Sequence, residues 1–129
     1  MLDTVHTLNK YYDGPELGTA DFESHPHVYE RISERHDGRP EVYRLSPISM
    51  ADFSAVKEDW QIRLRWKAAQ DERSLSEPDD GPRVLPSDLN RFLELEPLVE
   101  TALQIDEARA VKVTGEVFER TTKVEWQRV

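Results

Sequence analysis

The sequence predicts an α+β domain in which two inserted helices pack on one face of a single antiparallel sheet. Three observations support this fold class. Short runs of β-forming residues, separated by turn residues, fill positions 1–45 and indicate an N-terminal β-meander. Helical periodicity follows over most of 49–104, and alternating patterns return over 108–129, where we expect a C-terminal β-hairpin. A chain of 129 residues fits a single domain.

The meander is predicted from four runs of β-forming residues, namely VHTLNKYY (5–12), TADFE (19–23), HVYERI (27–32) and EVYRL (41–45). DGP (13–15) and HDG (36–38) are typical turn sequences. Pro26 cannot donate a ladder hydrogen bond, so we expect it at the start or the edge of a strand. We expect one face of this meander to lie in the core.

A long helix is predicted over 49–73, where Ser49 and Asp52 match a capping box. The apolar residues form two stripes, on nearly opposite sides at about 100° per residue. One stripe contains Phe53, Val56, Trp60 and Leu64, and the other contains Ile62, Trp66 and Ala69. WQIRLRW (60–66) also alternates strictly, as a half-buried strand would. We favour the helix, because the cap and the first stripe exceed strand length, and we expect Trp60 to be more buried than Trp66.

The second half of the chain contains a loop, a second helix and the hairpin. SLSEPDDGPRVLP (74–86) holds three prolines and a glycine, which is typical of a loop. Ser87 predicts the N-cap of a helix over 87–104, and Pro97 should kink or split that helix. Its apolar stripe contains Leu89, Phe92, Leu95, Val99 and Leu103. The hairpin over 108–129 is predicted from ARAVKVTGEVF and TKVEWQRV.

The formal net charge of −9 is concentrated in one part of the chain. Residues 71–107 carry eleven acidic and three basic side chains, a balance of −8. Such a surface repels nucleic-acid phosphates and attracts basic proteins. We therefore expect a basic protein as partner and no nucleic acid, with solubility as the alternative role of the charge. The candidate residues of this interaction surface are Asp79, Asp80, Glu94, Glu100 and Trp66.

Composition excludes several kinds of site. The chain has no cysteine, which excludes disulfides and thiolate-held metal centres. The five glycines are scattered, and neither a phosphate-binding loop nor a nucleophile motif is present. No apolar run approaches the length of about 20 residues that a membrane helix needs, and the N-terminus is not typical of a secretory signal. We expect a soluble cytoplasmic protein without cofactor or membrane contact.

DFESHPHVYE (21–30) combines two histidines with a tyrosine and three carboxylates. On an extended strand His25 and His27 would point to the same side and could bind zinc. The candidate third ligands are Asp21, Glu23 and His6. Acid–base chemistry is a second alternative, and together these alternatives involve Tyr11, Asp13, Asp21, His25, His27 and Tyr29. We favour a turn that leads into a strand, because metal sites usually show more ligands than this.

The segment YYDGPELGTADFESHPHVYE (11–30), followed by RLSPIS, EDWQIRLRW and LPSDLNRFLEL, resembles a widespread family of small uncharacterised bacterial proteins. Members of that family share a YDGP turn, a GxADF strand and a PHxYE strand. The resemblance covers most of the chain, in order. It implies a soluble bacterial protein and transfers no activity, cofactor or catalytic residue.

Two function classes therefore remain open. The favoured hypothesis is a small non-enzymatic protein-binding module that uses the acidic surface of residues 71–107. The alternative is a small-ligand, metal or acid–base site on the N-terminal meander, around His25, His27 and Asp21.

Overall fold

Seven strands and two α-helices make up the part of the chain that the computed structural model describes, which comprises residues 2–11, 14–32, 41–73, 83–117 and 122–129. The strands are β1 Asp3–Tyr11, β2 Pro15–Phe22, β3 His25–Arg31, β4 Glu41–Pro47, β5 Val111–Gly115, β6 Lys123–Val124 and β7 Gln127–Arg128. The helices are α1 Met50–Arg73 and α2 Leu89–Ala102, with 3-10 turns at Pro86–Asp88 and Glu107–Arg109. The predicted turn at 36–38 and most of the predicted loop at 74–86 lie outside the described residues.

The strands form one antiparallel sheet in the order β6-β1-β2-β3-β4-β5-β7. Strands β1 to β4 are neighbours in chain order, as expected of a meander. Strand β5 then adds to β4, with Val113 opposite Tyr43. Both helices pack on the same face of this sheet. The predicted α+β fold class is confirmed.

The C-terminal segment joins the two ends of the strand order. β6 pairs with the start of β1, whereas β7 pairs with β5, and only Glu125 and Trp126 separate β6 from β7. The segment thereby curls the sheet and connects its edges. Trp126 fixes this arrangement, because its Nε1 donates to the carbonyl oxygen of Asp21 at 3.1 Å. The predicted C-terminal hairpin is present as the pairing of β5 with β7, whereas β6, from the same predicted arm, pairs with β1 at the other edge.

The sheet is buried on both faces, which corrects the prediction of a single core face. On the outer face, Leu17 and Val28 pack against the two helices. On the inner face of the curl, an apolar cluster includes Tyr29, Tyr43 and Trp126. A curled sheet encloses one of its faces, so alternate residues of a strand can both be buried. The alternation in the sequence therefore does not separate core from solvent here.

The segment 60–66 is helical, within α1, and not a strand. The predicted N-cap is present, since the backbone N–H of Asp52 donates to Ser49 Oγ at 3.1 Å. The helix starts where this cap places it, one residue after Ser49.

The predicted order of burial of the two tryptophans is wrong. Trp66 is buried, at 9% exposure, whereas Trp60 is only half-buried. Ile62 is likewise buried at 1%, whereas Leu64 is 41% exposed. The two apolar stripes are the margins of one wide buried face, and Asp59 lies between them, 1% exposed. This carboxylate is tolerated there because Arg63 Nε donates to it at 3.0 Å.

Helix α2 begins at Leu89, so the prediction of an N-cap at Ser87 is wrong. A 3-10 turn precedes the helix, and Asp88 is its N-cap residue without a side-chain cap bond. The Asp88 carboxylate instead accepts two hydrogen bonds from Arg65, at 3.0 and 2.9 Å. The helix continues through Pro97 and is not split there. Its predicted apolar stripe faces the core, with Leu95, Val99 and Leu103 buried and Leu89 and Phe92 packed beside them.

Candidate functional site

The tyrosines predicted for a site on the N-terminal meander lie in different environments. Tyr29 is fully buried inside the curled sheet, where its hydroxyl donates to the carbonyl oxygen of Thr7 at 3.0 Å. Burial raises the pKa of Tyr29, so this phenol stays protonated. Tyr11 is exposed at the end of β1, and Asp13 lies outside the described residues. The two tyrosines therefore do not share a cleft.

His25 and His27 do not form a ligand pair. His25 is exposed, whereas His27 is buried, with its ring edge-on to Phe22 and its Nδ1–H donated to the carbonyl oxygen of His25 at 2.9 Å. Asp21 instead accepts a 2.9 Å hydrogen bond from Nε2 of His6. Among the residues that the structure describes, no group of three or more histidines and carboxylates is arranged to hold a metal ion.

A groove lies between α2 and the outer face of the sheet. It consists of two adjoining pockets, of about 360 and 290 Å³, which share Lys10, Glu100 and Leu103. The other charged lining residues are Glu30, Arg44 and Glu107 in the first pocket and Asp59, Arg63 and Glu96 in the second. We refer to these two pockets together as the α2 groove. Ligand pockets usually measure about 300–1,000 Å³, so the larger of the two lies within that range and the smaller lies just below it.

The charges at one end of the α2 groove are balanced within the protein. Arg44 donates to Glu107 at 2.6 Å and also to Glu30. The hydrogen bond to Glu30 is the main cause of the raised pKa of Arg44. This end of the groove therefore presents a cation already shared by two carboxylates.

Half of the eight described carboxylates of residues 71–107 have an arginine partner. Asp88 is held by Arg65, and this hydrogen bonding lowers the pKa of Asp88. Asp106 accepts from Arg109 at 2.9 Å, which likewise lowers its pKa. Glu94, one of the predicted interaction residues, accepts from Arg91 at 3.0 Å. Much of the sequence's concentrated negative charge is thus compensated locally.

Glu96 and Glu100 differ from these carboxylates. They lie one turn apart on α2, both are exposed, and both line the α2 groove. Neither forms an ion pair with any residue in the described ranges. Like charges four residues apart on a helix repel each other and cost a few tenths of a kcal/mol. Their negative charge is therefore available to a partner.

Part of this site is predicted from the sequence. Glu100 was among the predicted interaction residues, whereas Asp79 and Asp80 lie outside the described residues. Trp66, also predicted, is buried, although it lines a different pocket between the helices. Glu96 was missed, and its spacing of four from Glu100 was the available signal. No local signal predicts that Lys10 of β1 lines the same pocket as α2, because that placement depends on the tertiary fold.

Comparison of the chain with protein-family models, curated proteins and solved structures finds no match. The family resemblance inferred from residues 11–30 therefore stays a prediction. None of the helices in the described ranges combines the length and the apolar character needed to cross a membrane.

Proposed function

We propose that this protein is a non-enzymatic protein-binding module that takes a basic segment of a partner protein along the α2 groove. The observation that supports it most is the pair Glu96 and Glu100, which line the groove without an arginine or lysine partner among the described residues. Lysine and arginine side chains complement such carboxylates directly. A concentrated negative field also speeds the encounter with a basic partner.

The walls of the groove suit long basic side chains. Val99 and Leu103 are buried and line the groove next to the two glutamates. Lysine and arginine carry apolar stems that pack on such surface while the charged ends remain with the carboxylates. The groove can therefore bind both parts of these side chains.

The lining also favours binding over catalysis. The described lining residues of the α2 groove include no histidine, serine, threonine or tyrosine. The described lining therefore supplies neither a hydroxyl nucleophile nor a histidine base, and its ionisable groups are carboxylates, lysine and arginine. The buried Asp59 is engaged by Arg63, which gives it a structural role in α1.

A fluorescence-anisotropy titration with a labelled lysine- and arginine-rich peptide tests the proposal. We expect binding at low ionic strength that weakens as salt rises, because exposed charges are screened. Glu96→Gln/Glu100→Gln should weaken binding by about 1–2 kcal/mol, or about fivefold to thirtyfold, if each lost ion pair contributes as exposed pairs do.

The matched control is Glu94→Gln/Glu116→Gln, which removes the same amount of charge from two exposed positions outside the groove lining. This control should bind nearly as well as the wild type. Equal losses in both double variants would mean that overall charge, and not the α2 groove, attracts the peptide. Absence of binding at low salt would contradict the proposal directly.

A further inference from the structure

A third pocket lies on the other side of Arg63, between α1 and α2. Its volume is about 470 Å³. Its lining residues are Trp60, Arg63, Leu64, Trp66, Lys67, Arg83 and Phe92. We refer to it as the interhelical pocket. It shares only Arg63 with the α2 groove among the lining residues.

The interhelical pocket has an apolar floor that solvent can reach. Trp60 and Phe92 are half-buried, and Leu64 is 41% exposed. Trp66 is buried beneath them. Partly exposed aromatic and leucine side chains grouped in one concavity are typical of places where a partner inserts an apolar side chain. The floor therefore fits an aromatic or leucine side chain.

The rim of the interhelical pocket is cationic. The Arg63 guanidinium lies 5.8 Å from the centre of the Phe92 ring, and that of Arg83 lies 6.0 Å from the Trp66 ring. Lys67 is exposed at the same rim. The described lining residues contain three cations and no carboxylate. In a chain with a net charge of −9, this sign is opposite to that of the surface as a whole.

Nearby carboxylates compensate the charges of Arg63 and Lys67 only in part. Asp59 is buried and accepts from Nε of Arg63, which leaves the terminal amino groups of Arg63 without a protein acceptor among the described residues. Asp71 lies 3.9 Å from Lys67 Nζ, with both side chains exposed to solvent. An exposed ion pair of that length is weak, and its carboxylate is readily exchanged for another anion. Arg63 and Lys67 therefore keep cationic charge available around an apolar floor.

We propose that the interhelical pocket docks an acidic peptide segment of a partner protein, with an aromatic or leucine side chain on the floor and flanking carboxylates on the rim. Apolar shape and cationic charge together match this occupant, and a basic segment would be repelled by the rim. Nucleic acid is disfavoured, because its affinity depends on many Lys and Arg contacts and the chain as a whole is acidic. This docking is independent of the basic segment assigned to the α2 groove.

Anisotropy with a labelled peptide, in which a central phenylalanine is flanked by aspartates, tests the proposal. The wild type should bind it, and binding should be lost both when serine replaces the phenylalanine and when asparagines replace the aspartates. Leu64→Ser/Lys67→Gln should lower the affinity by about tenfold, as loss of an apolar anchor contact and a charge does. Both positions are exposed, so the fold should be kept, which circular dichroism checks.

The matched control is Leu98→Ser/Lys112→Gln, which makes the same replacements at exposed positions outside the interhelical pocket. It should bind like the wild type, and equal losses in both variants would overturn the proposal. Glu96→Gln/Glu100→Gln should also leave this binding intact, which separates the result from that for the α2 groove.

Two further outcomes would overturn the assignment of an external acidic peptide. The first is that a single-stranded oligonucleotide binds while the peptide does not, with the same loss in Leu64→Ser/Lys67→Gln. The second is that Glu77→Gln/Asp79→Asn/Asp80→Asn raises the peptide affinity at least as much as the pocket variant lowers it. In that case the acidic occupant belongs to this chain itself.

Discussion

Gly115 of β5 lies so close to the indole of Trp126 that a Cβ atom at residue 115 would come within 2.6 Å of Trp126 Cε3. The indole cannot move away freely, because its Nε1 donates to the carbonyl oxygen of Asp21 and its ring packs edge-on against Tyr43, with 5.2 Å between the centroids. Gly115→Ala should therefore destabilise the protein by about 1–3 kcal/mol, as overpacking of a tight core does. Urea denaturation measures this change.

A double-mutant cycle tests whether the indole is the cause. In a Trp126→Leu background the added methyl group has more room, so Gly115→Ala should cost less there than in the wild type. Lys112→Ala, at an exposed position of the same strand, should stay within about 0.5 kcal/mol of the wild type. An identical cost of Gly115→Ala in both backgrounds would show that strand conformation, and not the contact with Trp126, is responsible.

The buried face of α1 predicts a second set of stability changes. Trp66→Ala should cost about 3–5 kcal/mol, because it empties a large buried aromatic site. Trp60→Ala should cost less, because Trp60 is only half-buried. The aliphatic pair gives the same contrast, with about 2–5 kcal/mol for Ile62→Ala and less than about 1 kcal/mol for Leu64→Ala. A larger cost for Trp60→Ala than for Trp66→Ala would contradict the helix orientation described above.

The parts of the fold that the sequence predicts correctly rest on local patterns. The cap at Ser49 and the stripe that includes Leu95 and Val99 are visible in short windows of sequence, and both are present in the structure. The orientation of α1 was mispredicted because Asp59 occupies the centre of its buried face. A charged residue such as Asp59 predicts a solvent-facing position, because charged side chains are rarely buried without a partner. Its partner Arg63 is identified only in the structure.

The closure of the sheet and the two pockets depend on contacts between distant parts of the chain. β6 and β7 have two residues each and pair with strands at opposite edges, which no local pattern specifies. The α2 groove likewise requires Lys10 of β1 and Glu100 of α2 to line the same pocket. Glu96 and Glu100 lack an ion-pair partner in the described part of the chain because of where the arginines lie in three dimensions, and the sequence alone does not specify those positions.

Asp3 should give stability a specific pH dependence. Burial, and then the charge of Asp21, raise the pKa of Asp3 above its ordinary value of 3.8. A raised pKa in the folded state means that the stability Asp3 contributes is present below 3.8 and is lost as the pH rises through the folded pKa. Asp3→Asn carries no such charge, so its stability relative to the wild type should increase with pH across that window. Urea midpoints at a series of pH values measure this difference, and a constant or falling difference would contradict it.

Zinc should not stabilise the folded protein if His25 and His27 are only residues of strand β3 and do not bind a metal ion. The His27 ring is buried and its Nδ1 is used by a carbonyl oxygen, while Nε2 of His6 is used by Asp21. A metal bound only by the folded state, at about 100 times its dissociation constant, would add about 2.7 kcal/mol to the free energy of unfolding. We therefore expect the melting temperature of tag-free protein to stay unchanged when stoichiometric zinc is added.

His25→Ala is the informative variant, because His25 is exposed and its loss should leave the fold intact. An upward shift with zinc in the wild type that disappears in His25→Ala would establish a metal site on the meander.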